Sequence, residues 1–249
     1  MSLKCRIGVT ALFAFAAIAT PGLAASQTFG YFGGLGPAFW GELDPAWETC
    51  GSGEIQSPVN FKHGNKSFHR LPISYGETDG EIFNNGHTIE IETDGQNTLA
   101  FRGVIYDLVQ FHFHTASEHR VAGRGYDMEL HLVHAAGDGT NAVIAVFLKR
   151  GKSSRALAPI FENLPEVGSI NVKEELPQSF NPAAFLPKDQ DHFRYLGSLT
   201  TPPCTEGVHW FVLSEPVTVS DEDMAQFAER IHFNARLVQR RVGHQKHRK

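Results

Sequence analysis

The chain has 249 residues, with 22 Lys+Arg against 27 Asp+Glu and a formal net charge of −5. Hydrophobic residues make up 41 % and charged residues 20 %, an ordinary globular composition that excludes long-range disorder. The acidic balance excludes a general nucleic-acid binder, because no broad basic surface can be assembled from it, and length alone allows one large domain or two small ones.

Residues 1–25 read as a secretory leader that is cleaved from the mature protein. Lys4 and Arg6 form a basic start, Ile7 to Ile18 is nearly all apolar, and Ala24 and Ala25 offer small residues for cleavage. The apolar run is too short for a stable membrane-spanning helix, and no later run competes with it. The expected location is therefore the periplasm or the exterior. Cys5 leaves with the leader, so the mature chain keeps Cys50 and Cys204. In an exported protein these suggest one disulfide, with two buried free thiols as the alternative. Neither has a second Cys or a His at zinc-site spacing. A bridge closing so long a loop is worth about 5 kcal/mol at most in the chain-entropy model.

Residues 26–240 read as one uninterrupted domain. Residues 28–53 are rich in Gly and aromatics (Phe29, Tyr31, Phe32, Phe39, Trp40, Trp47), which predicts an irregular segment packed by its rings. Strand chemistry follows at Ile82–Phe83, Thr88–Glu92, Leu99–Phe101, Tyr106–His114, Glu129–His134, Ala142–Leu148 and His209–Leu213. Turn signals at Asn84-Asn85-Gly86, Asp94-Gly95 and Gly137-Asp138-Gly139 separate them. Two helices are expected. Ser154–Asn163 gathers Leu157, Ile160 and Phe161 on one face. Ser220 with Asp223 forms an N-terminal cap before Met224, Phe227, Ala228 and Ile231. The class is mainly β with few helices. The end of the chain carries Arg236, Arg240, Arg241, Lys246, Arg248 and Lys249 without an acid, and reads as a solvated, fraying tail, with 241–249 outside the domain.

The most informative segment is Val109-Gln110-Phe111-His112-Phe113-His114. In a strand, Gln110, His112 and His114 share one face and Val109, Phe111 and Phe113 point into a core. On a helix, histidines two positions apart diverge by about 200° and cannot meet at one metal. In Glu129-Leu130-His131-Leu132-Val133-His134, Glu129, His131 and Val133 share a face that excludes His134, which reads as a core or edge histidine. Three neutral imidazoles without thiolate or carboxylate suit zinc and leave a fourth tetrahedral position for water, the mark of a catalytic rather than a structural site. Gln110 and Glu129 precede His112 and His131 by two residues on the same faces, where each can accept an imidazole N–H and set the tautomer.

At these residues the chain resembles the α-class carbonic anhydrases, in particular the exported bacterial type. Ser117-Glu118-His119, Tyr126 and Glu129-Leu130-His131-Leu132-Val133 match the family signature in spacing. Gln56-Ser57-Pro58, Asn84-Asn85-Gly86-His87, Gln110-Phe111-His112-Phe113-His114 and Gly197-Ser198-Leu199-Thr200-Thr201-Pro202-Pro203 follow the family order. The likeness runs from about Tyr31 to Gln239. It implies a single-domain fold around a large, twisted, mixed but mostly antiparallel sheet of about ten strands, with a few short peripheral helices.

The resemblance further implies reversible hydration of carbon dioxide to bicarbonate and a proton by zinc-bound hydroxide, with His112, His114 and His131 as the Zn2+ ligands. Thr200 would accept the hydroxide's proton in a hydrogen bond and donate its own to Glu118, and its backbone N–H would bind a bicarbonate oxygen. Val133, Val143, Leu199, Val208 and Trp210 would wall the carbon dioxide pocket. His87 would relay the proton along a path lined by Tyr31, Asn85 and Glu90, and Asn234 would support His114. The family also implies a Cys50–Cys204 pair, cis peptides before Pro58 and Pro203, a weak esterase side activity, and inhibition by sulfonamides and anions. A homodimer stays open, and no nucleic-acid partner or membrane span is expected. The chain departs from the family at Thr28-Phe29-Gly30-Tyr31, where His-Trp-Gly-Tyr is usual, and at Leu237, where proline is usual. The rival reading, a non-catalytic binding protein on the same fold, typically lacks a zinc histidine, and none is missing here.

Overall fold

The computed structural model describes residues 28–240 except His63, Asn65, Phe68 and Gly95. The leader expected at 1–25, the tail expected at 241–249 and part of the turn expected at Asp94-Gly95 lie outside the described residues.

Period-two alternation builds the molecule. Twelve strands form among the described residues: β1 (Asn60–Phe61), β2 (Ile73–Ser74), β3 (Gly80–Asn84), β4 (Ile89–Thr93), β5 (Thr98–Phe101), β6 (Val104–Thr115), β7 (Arg120–Val121), β8 (Met128–Ala135), β9 (Asn141–Arg150), β10 (Glu174–Glu175), β11 (His192–Ser198) and β12 (Glu206–Val219). Ten of them make one sheet in the order β10-β3-β4-β6-β8-β9-β12-β11, with β5 on β6 and β2 on β5. Every pairing in it is antiparallel except β9 with β12. β1 and β7 form a separate parallel pair.

Both faces of the central strands are buried, so each strand carries two apolar sets. One face packs Phe111, Phe113, Leu130, Leu132, Ile144, Val146, Phe211 and Leu213 into the larger core. The other places Val143, Ala145, Phe147, Phe193, Tyr195, Val208, Trp210 and Val212 in a second cluster. The histidine triad belongs to this second face.

Val109 is a correction. The register of β6 on β8 slips between Leu108 and Gln110, and Val109 is 37 % exposed rather than in a core. The bulge inverts parity, so Leu108 and Phe111 reach the same core although three positions apart. Strict alternation cannot show such a slip.

Four helices are present among the described residues: α1 (Trp40–Leu43), α2 (Thr49–Ser52), α3 (Ala158–Phe161) and α4 (Asp221–Arg230). α4 begins at the expected capping box of Ser220 and Asp223 and buries Phe227. α3 is much shorter than the expected Ser154–Asn163, because Pro159 has no N–H to return to the preceding turn. No helix among the described residues is long and apolar enough to cross a membrane.

The aromatic N-terminal segment divides. Phe29, Tyr31 and Trp47 pack around Trp40 and the Cys50–Cys204 disulfide, while Phe32 and Phe39 stay exposed. The peptides before Pro58 and Pro203 are cis, as is Thr115–Ala116. Arg236 overturns the reading of a solvated end: it is 2 % exposed, while Leu237 beside it lies open to solvent.

Candidate active site

Adjacent antiparallel strands bring the three histidines together. His112 on β6 stands opposite His131 on β8, and His114 stands opposite Glu129. Ring centroids are 5.0 Å apart for His112 and His114, 5.3 Å for His112 and His131, and 4.5 Å for His114 and His131. One ring nitrogen of each lies within 4.8 Å of the others.

The remaining nitrogens are all engaged. His112 Nδ1–H donates to Gln110 Oε1 at 2.7 Å, His114 Nδ1–H to the Asn234 carbonyl at 2.8 Å, and His131 Nε2–H to Glu129 Oε1 at 2.8 Å. This fixes three tautomers and leaves Nε2 of His112, Nε2 of His114 and Nδ1 of His131 as lone-pair donors. His114 Nε2 is buried without a hydrogen-bond partner, which is unfavourable for a bare imidazole and suits a metal ligand. Burial, then the neighbouring imidazoles, hold His112 well below its ordinary pKa. Burial and His114 lower His131 against the opposing pull of Glu129. Neutral rings are the form that binds a cation.

Behind the triad runs a buried hydrogen-bond chain that the sequence reading did not assign. His119 donates from Nδ1 to Glu129 Oε1 at 2.6 Å and from its backbone to Oε2 at 2.9 Å. Its Nε2 meets the Tyr195 hydroxyl at 2.6 Å, which meets Ser57 Oγ at 2.8 Å. Ser57 Oγ accepts the Ser198 N–H at 2.9 Å, two residues before Thr200. Burial alone would raise the Glu129 pKa; the N–H groups that His119 and His131 turn toward it outweigh burial and hold the carboxyl far below the usual range. The only local signal for His119 was its place beside Glu118, since Tyr195 is 76 positions away.

Glu118 is fully buried beside the triad. Its Oε1 accepts the Arg236 backbone N–H at 2.8 Å, and Oε2 is buried without a partner. Among the described residues, no hydrogen bond joins the Thr200 hydroxyl to Glu118, so the expected pair is not closed in this structure. Thr200 instead faces a cavity of about 230 Å³ lined by His112, His131, Gln110, Val133, Val143, Leu199 and Trp210, with Asn141 and Thr201 as unpredicted neighbours. Val208 is buried in the apolar cluster behind this wall and does not line it. His114 lies deeper, at the floor of the triad.

His87 is set apart from that cavity. The Asn84-Asn85-Gly86 turn needs the positive φ of Gly86 (87°), and the Asn85 Oδ1 accepts the His87 N–H at 2.9 Å. His87 and Tyr31 line a neighbouring cavity of about 220 Å³. Asn85 Nδ2 donates to Glu90 Oε2 at 2.9 Å, and Glu90 stands opposite His112 on β4. Burial raises Glu90, eased by the Asn85 bond, and lowers His87. Tyr31 is pushed up by burial and by the charge of Glu118, and so remains a phenol.

Cys50 and Cys204 are bonded, 154 positions apart in sequence. The bridge ties the aromatic segment to the loop that presents Thr200.

Known proteins are similar to this chain in sequence and in fold. A carbonic anhydrase of Pectobacterium carotovorum is 35 % identical over 238 residues, covering 95 % of each chain, and one of Klebsiella pneumoniae is 37 % identical over 242 residues, covering 95 % of this chain and 96 % of its own. The solved α-carbonic anhydrase of Thermovibrio ammonificans, in complex with the inhibitor sulfanilamide, superposes with a TM-score of 0.82 at 37 % identity, over 88 % of this chain and 97 % of its own. The family model for eukaryotic-type carbonic anhydrases matches residues 35–247. With the histidine-bearing strands, the ten-stranded sheet and these likenesses in agreement, the chain belongs to the eukaryotic-type, or α-class, carbonic anhydrase family and is an enzyme of that class.

Proposed function

We propose that the enzyme interconverts carbon dioxide and water with bicarbonate and a proton, using Zn2+ held by His112, His114 and His131. The observation that carries this reading is the set of three imidazoles whose outer N–H groups are all engaged, leaving three lone pairs to converge beside a cavity with one apolar wall. Zinc, when bound there, would supply Lewis-acid acidification of a water molecule at neutral pH, an effect for which the carbonic anhydrases are the type case.

The chain's own residues do the rest. Val133, Val143, Leu199 and Trp210 offer carbon dioxide an apolar wall, where a molecule without charge is held by shape and dispersion. Once the Thr200–Glu118 pair closes, Thr200 would donate its hydroxyl hydrogen to Glu118 Oε2, the acceptor left open, and take a hydrogen bond from the attacking oxygen. A carboxylate can only accept, so this direction turns an oxygen lone pair toward the substrate carbon. The Thr200 backbone N–H binds an oxygen of the bicarbonate formed. His87 accepts the released proton along a path lined by Tyr31, Asn85 and Glu90 and passes it to buffer.

The same oxygen attacks activated esters, giving a weak esterase activity. Sulfonamides, one of which is bound by the Thermovibrio ammonificans relative, inhibit by occupying the site, as do small anions. The disulfide belongs to an oxidising compartment, which agrees with export through the 1–25 leader to the periplasm or beyond.

Stopped-flow acidification of a carbon dioxide solution, with metal analysis of the mature protein, tests the reading. One zinc per chain, activity removed by a chelator and restored by Zn2+, and its loss in His114→Ala are expected. A metal-free but active protein would overturn it.

A further inference from the structure

Arg236 is one of the largest fully buried side chains, yet no step above uses it. Its guanidinium is committed to the disulfide-bearing lobe. Nη1 donates to Gln56 Oε1 at 2.9 Å and to the Ser57 carbonyl at 2.8 Å, and Nη2 donates to the Cys50 carbonyl at 2.9 Å. The guanidinium lies over the Trp40 ring, 5.6 Å from its centroid. Gln56 completes the anchorage by donating to the Cys204 carbonyl at 3.1 Å. Such a planar fork, with several acceptors and an aromatic face, has little freedom to shift.

The other end of the same residue touches the site. The Arg236 N–H holds Glu118 Oε1 at 2.8 Å, and two residues earlier the Asn234 carbonyl holds His114 Nδ1. The Asn234 side chain donates to the carbonyls of His87 and Phe113 and accepts the Thr115 N–H. Residues 234–236 are therefore a strap lying across a ligand histidine, the acidic partner of Thr200 and the His87 turn. A backbone N–H goes where its residue is anchored, and the guanidinium is the anchor. By occupying Oε1, that N–H also decides which carboxylate oxygen remains for Thr200.

We infer that Arg236 is a positioning residue for the reaction: locked by its guanidinium onto the Cys50–Cys204 lobe, it holds its own N–H on Glu118 and so sets the aim of the Thr200–Glu118 pair. The inference rests on the reading of Glu118 as the acceptor for Thr200.

A double-mutant cycle on the zinc-loaded, oxidised enzyme tests it, using Arg236→Met, Glu118→Gln and their combination. Arg236→Met is expected to lower kcat/KM for carbon dioxide hydration by about ten- to a hundredfold, with zinc content and rescue of turnover by imidazole buffer unchanged. The double variant is expected to match Glu118→Gln within about threefold, because both changes disable one device. Arg236→Lys, which keeps the charge without the fork, is expected to recover only part of the loss. Losses that multiply in the double variant, or a fully active Arg236→Met, overturn the inference. A fully active Glu118→Gln would instead overturn the role given to Glu118, and this inference with it. Should Arg236→Met not be recovered folded, Gln56→Leu takes its place in the cycle under the same criteria, removing one guanidinium acceptor while leaving the Arg236 amide in place.

Discussion

The Phe29 ring lies flat against the His87 imidazole, with centroids 3.8 Å apart and planes 9° from parallel. Asn85 holds the His87 N–H and Asn234 holds its carbonyl, so the backbone is fixed and only the ring has a choice of place. The stack buries one face of a group proposed to exchange protons, and burial is what lowers its pKa.

In dilute buffer, His87→Ala should slow turnover about tenfold or more, and small imidazole buffers should restore it. Phe29→Ala should move the His87 titration upward, toward the ordinary imidazole value, in an NMR pH series. An unchanged rate in His87→Ala would remove the relay.

His134 should make the fold acid-sensitive. It lies on the face opposite the triad, donates from Nδ1 to the Ala142 carbonyl and accepts the Tyr75 hydroxyl at Nε2. Burial, against opposing backbone bonds, lowers its pKa from 6.5 to about 4. Above pH 6.5 the ring is neutral folded and unfolded, and contributes nothing. Below it the unfolded chain takes a proton that the fold refuses, so stability falls until about pH 4, by about 3 kcal/mol in all. Denaturant unfolding at pH 7 and pH 4.5 should show His134→Gln losing about 2 kcal/mol less than the parent. Equal losses would show that His134 does not titrate in this way.

Breaking the Cys50–Cys204 bridge should cost stability before it costs the metal site. The bridge spans 154 positions, for which restriction of the unfolded chain is worth about 5 kcal/mol at most. Reductant, or the Cys50→Ala/Cys204→Ala pair, should lower the unfolding midpoint of the mature protein markedly while zinc is retained under native conditions. Thiol titration of the oxidised protein in denaturant should find neither cysteine reactive.

The triad was legible because alternation is local. His112 and His114 can share a metal only in a strand, and the same rule placed Gln110 and Glu129 beside their histidines and sent His134 to the other face. The helix start at Ser220 was equally local, a cap and its acid three residues on. The Val109 bulge was not legible, since a slip exists only relative to β8. Nor was β11, whose inward Phe193 and Tyr195 gain meaning from the strand they pair with.

Arg236 shows the same boundary from the charged side. In sequence it opens a basic run, and a basic run at a chain end belongs in water. In the structure it is buried because carbonyls from Cys50 and Ser57, together with Gln56, surround it. What the sequence by itself determined was the chemistry on offer: three imidazoles and the polar partners that share their strand faces. The tertiary structure alone decided how they are held, through His119 on Glu129, the Asn234 carbonyl on His114 and the Arg236 amide on Glu118. Side-chain alternation follows from backbone stereochemistry within a few residues. A buried hydrogen bond between distant segments forms only when both sheet faces have closed and left each polar group one partner to find.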